Sequence, residues 1–225
     1  MRQLVLVRHG ESRWNVERRI QGQAGSGLSD LGRSQAEHTA DWLAATWPGA
    51  TVVSSDLERC RETVAPLEAR LGLAAATDRA LRERDFGTWS GQLLDDIRAR
   101  DRDRWERWRT GEDVIGEVGG ETSDQLATRV VAALTRLVGA LDDDGVVVAV
   151  THGGPVWHGT HAMLGVTSGI LGGVANASVT VLGSSGGSAW LQAWNQVGHL
   201  PVDAVTSLRP AVGRTSERAT PPVGR

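Results

Sequence analysis

Two short aliphatic runs constrain this chain more than any other feature. Residues 3–7 read QLVLV and residues 146–150 read VVVAV. A strand with one wet face alternates apolar and polar residues. A run that is apolar throughout fits a strand covered on both faces, the arrangement of parallel sheets flanked by helices. The intervening sequence agrees. Leu31, Ala36, Ala40, Leu43 and Trp47 share one helical face, residues 51–55 (TVVSS) read as a second strand, and Leu57, Cys60, Val64, Leu67 and Leu71 mark an amphipathic helix. Residues 93–109, dense in Asp and Arg, read as a mostly exposed helical segment with Leu94, Ile97, Trp105 and Trp108 as its apolar members. Thr122 and Gln125 have capping-box spacing and open a helix carrying Leu126, Val130, Leu134, Leu137 and Leu141. A further helix is expected after Gly153–Pro155, then strands over 178–182 and 189–194 joined by a turn at 183–188. Strands alternating with helices predict an α/β fold with a largely parallel central sheet. In such sheets ligands bind beyond the carboxyl ends of the strands.

The length of 225 residues suits one domain, expected over 1–197, and from residue 198 the composition shifts to Pro, Arg, Ser and Thr, as in an extended or disordered tail over 198–225. No run of apolar residues is long enough to span a bilayer, and the apolar start is too short for a signal-peptide core, so a cytoplasmic protein without membrane partner is expected. A net charge of −3 offers no footprint for nucleic acid. The single cysteine, Cys60, excludes an internal disulfide framework and a multi-cysteine zinc site. All 24 basic residues are arginine, so a P-loop and a lysine Schiff base are excluded. A phosphate site here must be assembled from Arg, His and backbone N–H groups. Arginine suits it, because its planar fork binds phosphate oxygens in pairs.

Both aliphatic runs end alike. The first continues as Arg8-His9-Gly10-Glu11, the second as Thr151-His152-Gly153-Gly154. If the two strands are parallel neighbours, both histidines meet at one sheet edge, glycines let the backbone approach a ligand, and helix N-termini follow. Arg8 adjoins the first histidine and Arg59 follows the second strand. Two Arg and two His converging on one point describe a cradle for a phosphate dianion.

These residues also resemble a known family. Arg8-His9-Gly10-Glu11-Ser12-x-x-Asn15 is similar to the signature of the histidine phosphatase superfamily, the phosphoglycerate mutase-like proteins. Ile20-Gln21-Gly22, Leu28-Ser29-Asp30-Leu31-Gly32, Ser54-Ser55-Asp56-Leu57-x-Arg59 with Thr63, Leu81-x-Glu83-x-x-x-Gly87-x-Trp89-x-Gly91, Gly119-Gly120-Glu121 and Thr151-His152-Gly153 follow in the family's order. The resemblance implies a phosphoglycerate mutase-like three-layer α/β/α fold. It also implies a metal-independent phosphomonoesterase without cofactor, acting through phosphohistidine on a small phosphorylated metabolite. His9 would be the nucleophile, Arg8, Arg59 and His152 would bind the phosphoryl oxygens, and Glu83 would be the general acid. Asn15, Gln21, Gly22 and Gly153 are expected to contact phosphate or substrate. Three other readings stay open: a mutase, a sugar-linked phosphatase suggested by residues 20–23, 174–178 and Trp194-Asn195, and a phosphate-binding protein without turnover. Monomer and homodimer both stay open.

Other patterns carry less. Residues 142–146 (DDDGV) match an aspartyl-phosphatase motif but precede a strand instead of ending one, and Pro66 stands where a cysteine phosphatase beginning at Cys60 needs arginine. His158 and His161 have metal-pair spacing but no third ligand nearby, so surface positions are expected for both.

Overall fold

The computed structural model describes residues 1–166 and 170–206. Its centre is a six-stranded sheet: β1 (Arg2–Arg8), β2 (Thr51–Ser54), β3 (Ala76–Thr77), β4 (Val146–Thr151), β5 (Val179–Ser185) and β6 (Ser188–Gln196), in the order β3-β2-β4-β1-β5-β6. The pairs β3–β2, β2–β4 and β4–β1 are parallel, and β5 and β6 continue the sheet antiparallel. The two aliphatic runs are therefore the central neighbours β1 and β4.

Alternation along these strands explains why both faces are apolar. Leu4, Leu6, Val147 and Ala149 face one layer, with Leu126, Val130 and Leu134 of α6 (Ser123–Gly139) and Val156 of α7 (Gly153–Leu164). Val5, Val7, Val148 and Val150 face the other, with Ala40 and Leu43 of α2 (Asp30–Thr46) and Cys60, Val64 and Leu67 of α3 (Glu58–Leu71). This is the expected α/β/α sandwich. Thr122 forms the capping box with Gln125 that its spacing predicted. The hairpin turn is shorter than expected: β5 runs on to Ser185 and only Gly186-Gly187 remain for the turn, both at positive φ.

A four-residue helix, α1 (Arg13–Val16), follows β1, and the segment between β3 and α6 carries α4 (Leu94–Arg100) and α5 (Arg102–Arg109). That segment corrects the expectation of a mostly exposed stretch. Ile97 and Trp105 are buried with Trp89, Val114 and Ile115 in a third, separate cluster, because two short helices and a 3-10 turn fold over one another. Of the stretch beyond residue 197, Leu200 and Ala204 are buried beside Leu31, and His199 stacks on Trp42. Residues 207–225 lie outside the described residues.

Candidate active site

Strand register brings the histidines together. Arg8 pairs with Thr151 across the β1–β4 ladder, and His9 and His152 are the next residue on each strand. The His9 N–H donates to the Thr151 carbonyl at 2.9 Å, and the ring centroids lie 5.2 Å apart. Ser54 pairs with Val150, so β2 ends at the same edge and hands the chain to α3, whose second residue is Arg59.

Arg59 is 2 % exposed, and every guanidinium nitrogen is engaged. Its Nε–H donates to His9 Nε2 at 3.2 Å and to His152 Nδ1 at 3.1 Å; Nη1 donates to the Ala24 carbonyl and Nη2 to the Gly22 carbonyl, each at 2.9 Å. His9 Nδ1 donates to the Gly10 carbonyl at 2.6 Å, which leaves Nε2 with the lone pair that Arg59 meets. Burial, reinforced by the charges of Arg59 and Arg8, holds His9 well below the usual histidine range and therefore neutral. Burial and Arg59 do the same to His152. On its far side His152 Nε2 meets Ser55 Oγ at 2.9 Å. Arg8 donates through Nη1 to the Val174 carbonyl, while its buried Nε has no protein partner and borders Gly153.

Glu83 comes from the loop after β3. Its carboxylate accepts from the Gly154 N–H in the first turn of α7 at 3.3 Å and from the Arg84 N–H at 2.8 Å. A Cβ on Gly154 would lie 2.2 Å from Glu83 Oε1 and would push the carboxylate out of this position. The charge run at 82–85 is thus no uniformly solvated patch. Arg82 binds Asp56 through Nε and Nη2, and Arg84 is 6 % exposed.

The structure gathers His9, His152, Arg8, Arg59, Glu83, Gly22 and Gly153 at one sheet edge. Asn15 and Gln21 stand next to them and are engaged with protein. Asn15 Oδ1 accepts from Ser12 N–H, Ser12 Oγ and Asn176 Nδ2, while Ser12 Oγ bonds Gln21 Oε1 at 2.9 Å. His158 and His161 do not join the site, and neither takes the expected surface position: His158 is partly buried and His161 is buried. His161 is 7 % exposed, stacks on Trp157 with centroids 3.8 Å apart, and donates from Nδ1 to the Trp157 carbonyl.

Sequence reasoning assigned no supporting role to several residues that hold the site together. Thr63 Oγ1 accepts the Gly10 N–H, Gln35 Oε1 accepts the Glu11 N–H, and Asn176 Nδ2 donates to the His9 carbonyl. Gly10 and Gly32 let two backbone segments touch; a Cβ on Gly32 would lie 1.9 Å from the Glu11 carbonyl oxygen. Of these, Thr63, Gly10 and Gly32 stood inside motifs already singled out and Asn176 inside the segment 174–178, so only Gln35 was unmarked.

A neutral histidine with one nitrogen locked, ringed by arginines at the carboxyl edge of a mainly parallel α/β sheet, defines a phosphoryl-binding enzyme of the α/β class. The chain belongs to the histidine phosphatase superfamily (branch 1), whose family model matches residues 4–197. It is 36 % identical over 203 residues to phosphoglycerate mutase-like protein 4 of Arabidopsis thaliana, covering 88 % of this chain and 86 % of that one. It is 38 % identical over 192 residues to glucosyl-3-phosphoglycerate phosphatase of Mycobacterium tuberculosis, covering 80 % and 85 %. Among solved structures, mycobacterial glucosyl-3-phosphoglycerate phosphatase with VO3 superposes with a TM-score of 0.78 at 35 % identity, over 88 % of this chain and all of that one. With that membership and these relatives, the protein is a phosphatase of the phosphoric monoester hydrolase class. Among the described residues no helix is long and apolar enough to cross a membrane.

Proposed function

We propose that the protein hydrolyses phosphomonoesters in two steps through a phosphohistidine at His9. The carrying observation is the locked tautomer: Nδ1–H on the Gly10 carbonyl leaves Nε2 as the basic, nucleophilic nitrogen. In the first step Nε2 bonds to phosphorus and the ester P–O bond breaks. The leaving alkoxide takes the proton of Glu83, acting as its carboxylic acid. In the second step water attacks phosphorus, the Glu83 carboxylate takes a water proton, and the P–N bond breaks to free phosphate. Arg8, Arg59 and His152 hold the equatorial oxygens, where transition-state charge is spread. The arginines supply the positive charge, so the scheme needs no metal.

For the substrate, a phosphorylated glycerate ester of the glucosyl-3-phosphoglycerate kind is favoured. Two mycobacterial proteins of that name are 37 % and 38 % identical over about four-fifths of this chain. Hydrolysis is favoured over mutase action by the length of the chain around the acid. Between Glu83 and His152, α6 and β4 claim the stretch from residue 123 onward, which leaves residues 84–121, with two short helices and 3-10 turns, as all that could close over the acid. Water should reach phosphorylated His9 and win over rebinding of the intermediate.

The test is rapid quench with labelled substrate on wild type and His9→Ala, with phosphorus NMR of the products. Label on His9 and inorganic phosphate as the main product are expected. Activity retained by His9→Ala sinks the mechanism, and interconversion of 2- and 3-phosphoglycerate without phosphate release sinks the choice of phosphatase.

A further inference from the structure

The Gly119-Gly120-Glu121 motif takes no part in the scheme above, yet it is built into the loop that carries the acid. Glu121 is largely buried and binds the Arg129 guanidinium from two sides, Nε at 2.8 Å and Nη2 at 2.7 Å. The guanidinium spends its remaining nitrogen on the acid loop: Nη1 donates to the Ala80 carbonyl at 2.8 Å and to the Arg82 carbonyl at 3.0 Å, and Nη2 borders the Glu83 carbonyl at 3.5 Å. One side chain thus gathers three carbonyls around the residue preceding and the residue bearing the carboxylate.

The rest of the motif fixes where Glu121 stands. Its N–H donates to the Asp85 carbonyl and its own carbonyl accepts from Arg84 Nε. Gly120 presses on the same loop, where a Cβ would lie 2.5 Å from the Asp85 carbonyl oxygen, and Gly87, at φ +53°, would place a Cβ 2.1 Å from the Val118 carbonyl oxygen. On the other side Thr151 Oγ1 donates to the Leu81 carbonyl, tying the loop to the end of β4. The loop is held at both ends, and Arg129 holds its middle.

We propose that Arg129, aligned by Glu121, is a positioning residue that sets the Glu83 carboxylate for proton transfer to the leaving oxygen. The proposal rests on Glu83 acting as the general acid. Proton transfer needs a carboxylate within hydrogen-bond reach of the leaving oxygen, and acid catalysis is typically worth about 10²–10⁴-fold. A lysine cannot reproduce the arrangement, because one ammonium cannot grip a carboxylate side-on and two loop carbonyls at once.

The experiment measures kcat/KM of wild type, Glu83→Gln, Arg129→Gln, Arg129→Lys and Glu121→Gln on phosphate esters graded by leaving-group pKa. Circular dichroism checks folding. For Glu83→Gln the loss should rise from a few-fold on p-nitrophenyl phosphate to at least about 10²-fold on an alkyl phosphate. The Arg129 variants should show the same slope at lower amplitude. Adding Arg129→Gln to Glu83→Gln should cost little more, since the clamp acts through a carboxyl already removed. A flat loss across leaving groups in the Arg129 variants, with a slope in Glu83→Gln, overturns the clamp alone. A flat loss in Glu83→Gln overturns the acid assignment and the clamp with it. Should Arg129→Gln fail to fold, Glu121→Gln, nearly isosteric, reads the same slope and decides in the same way.

Discussion

Arg59 shows how much one side chain carries here. It touches both histidines and two carbonyls of the loop over 22–24 while almost wholly buried, so its charge is what keeps His9 and His152 neutral after burial itself. A lysine keeps the charge but has a single nitrogen, which cannot meet Nε2, Nδ1 and two carbonyls together. Arg59→Lys is therefore expected to lose at least about 10²-fold in kcat, comparable with removing one donor from a preorganised anion site, with the fold intact by circular dichroism. Near-wild-type turnover would show that the point charge alone suffices. The motif residues at this scale were legible because their spacing from strand ends is short and local. Gln35 was not, since nothing local marks it, and although Thr63 and Asn176 lay in singled-out segments, their contacts with the Gly10 N–H and the His9 carbonyl join backbone far away in sequence.

At the scale of elements, the segment between β3 and α6 behaves as a unit of its own. Trp105, 8 % exposed, packs edge-on to Trp108, which meets Trp89 and Phe86 in the same way. None of these side chains belongs to the two clusters that flank the sheet. Truncating a buried tryptophan costs about 3–5 kcal/mol. Concentrated in so small a cluster, that cost falls on the segment before it falls on the sheet. Trp105→Ala should raise amide hydrogen exchange across residues 87–118 while β1 and β4 keep their protection. Uniform loss of protection would instead join this segment to the main core. The charge density of 93–109 hid this core, because its exposed faces are laced with ion pairs such as Arg107 with Glu117 and Arg104 with Glu117. Such surface pairs contribute little stability, and the few buried aromatics decide the packing.

For the whole molecule, buried neutral histidines set a direction for stability against pH. His9 and His152 are held well below 6.5 by burial and arginine charge, and burial, helped by Arg84, pushes His158 down to about 4. The unfolded chain takes up these protons near pH 6.5 and the folded chain does not. Their contribution is therefore complete above about pH 6.5 and declines as pH falls through that value toward the folded pKa, by up to about 1.4 kcal/mol per pH unit for each group. Urea unfolding of wild type and His158→Gln between pH 4.5 and 7.5 measures one such share. The variant's stability should fall less steeply than wild type's between about pH 6 and 4.5, by about one proton's worth, and run parallel to it above pH 7. Identical slopes throughout would mean His158 is protonated equally in both states.

Glu83 was marked by the resemblance to the family; by itself the sequence determined the order and type of the main elements and set His9, His152, Arg8 and Arg59 at or just past strand ends. Each rests on a local rule: a period of two or 3.6, a cap, a glycine after a strand, or a short motif whose parts lie within one turn of an element's end. Tertiary structure decided what depends on contacts between distant segments. It seated β1 beside β4 in a register that makes Arg8 face Thr151, buried His161 against Trp157, and folded residues 93–109 into a core of their own. It also joined Arg129 to carbonyls almost fifty residues upstream. No local period encodes such pairings, because their free energy comes from desolvation and hydrogen bonds completed only when several layers close together.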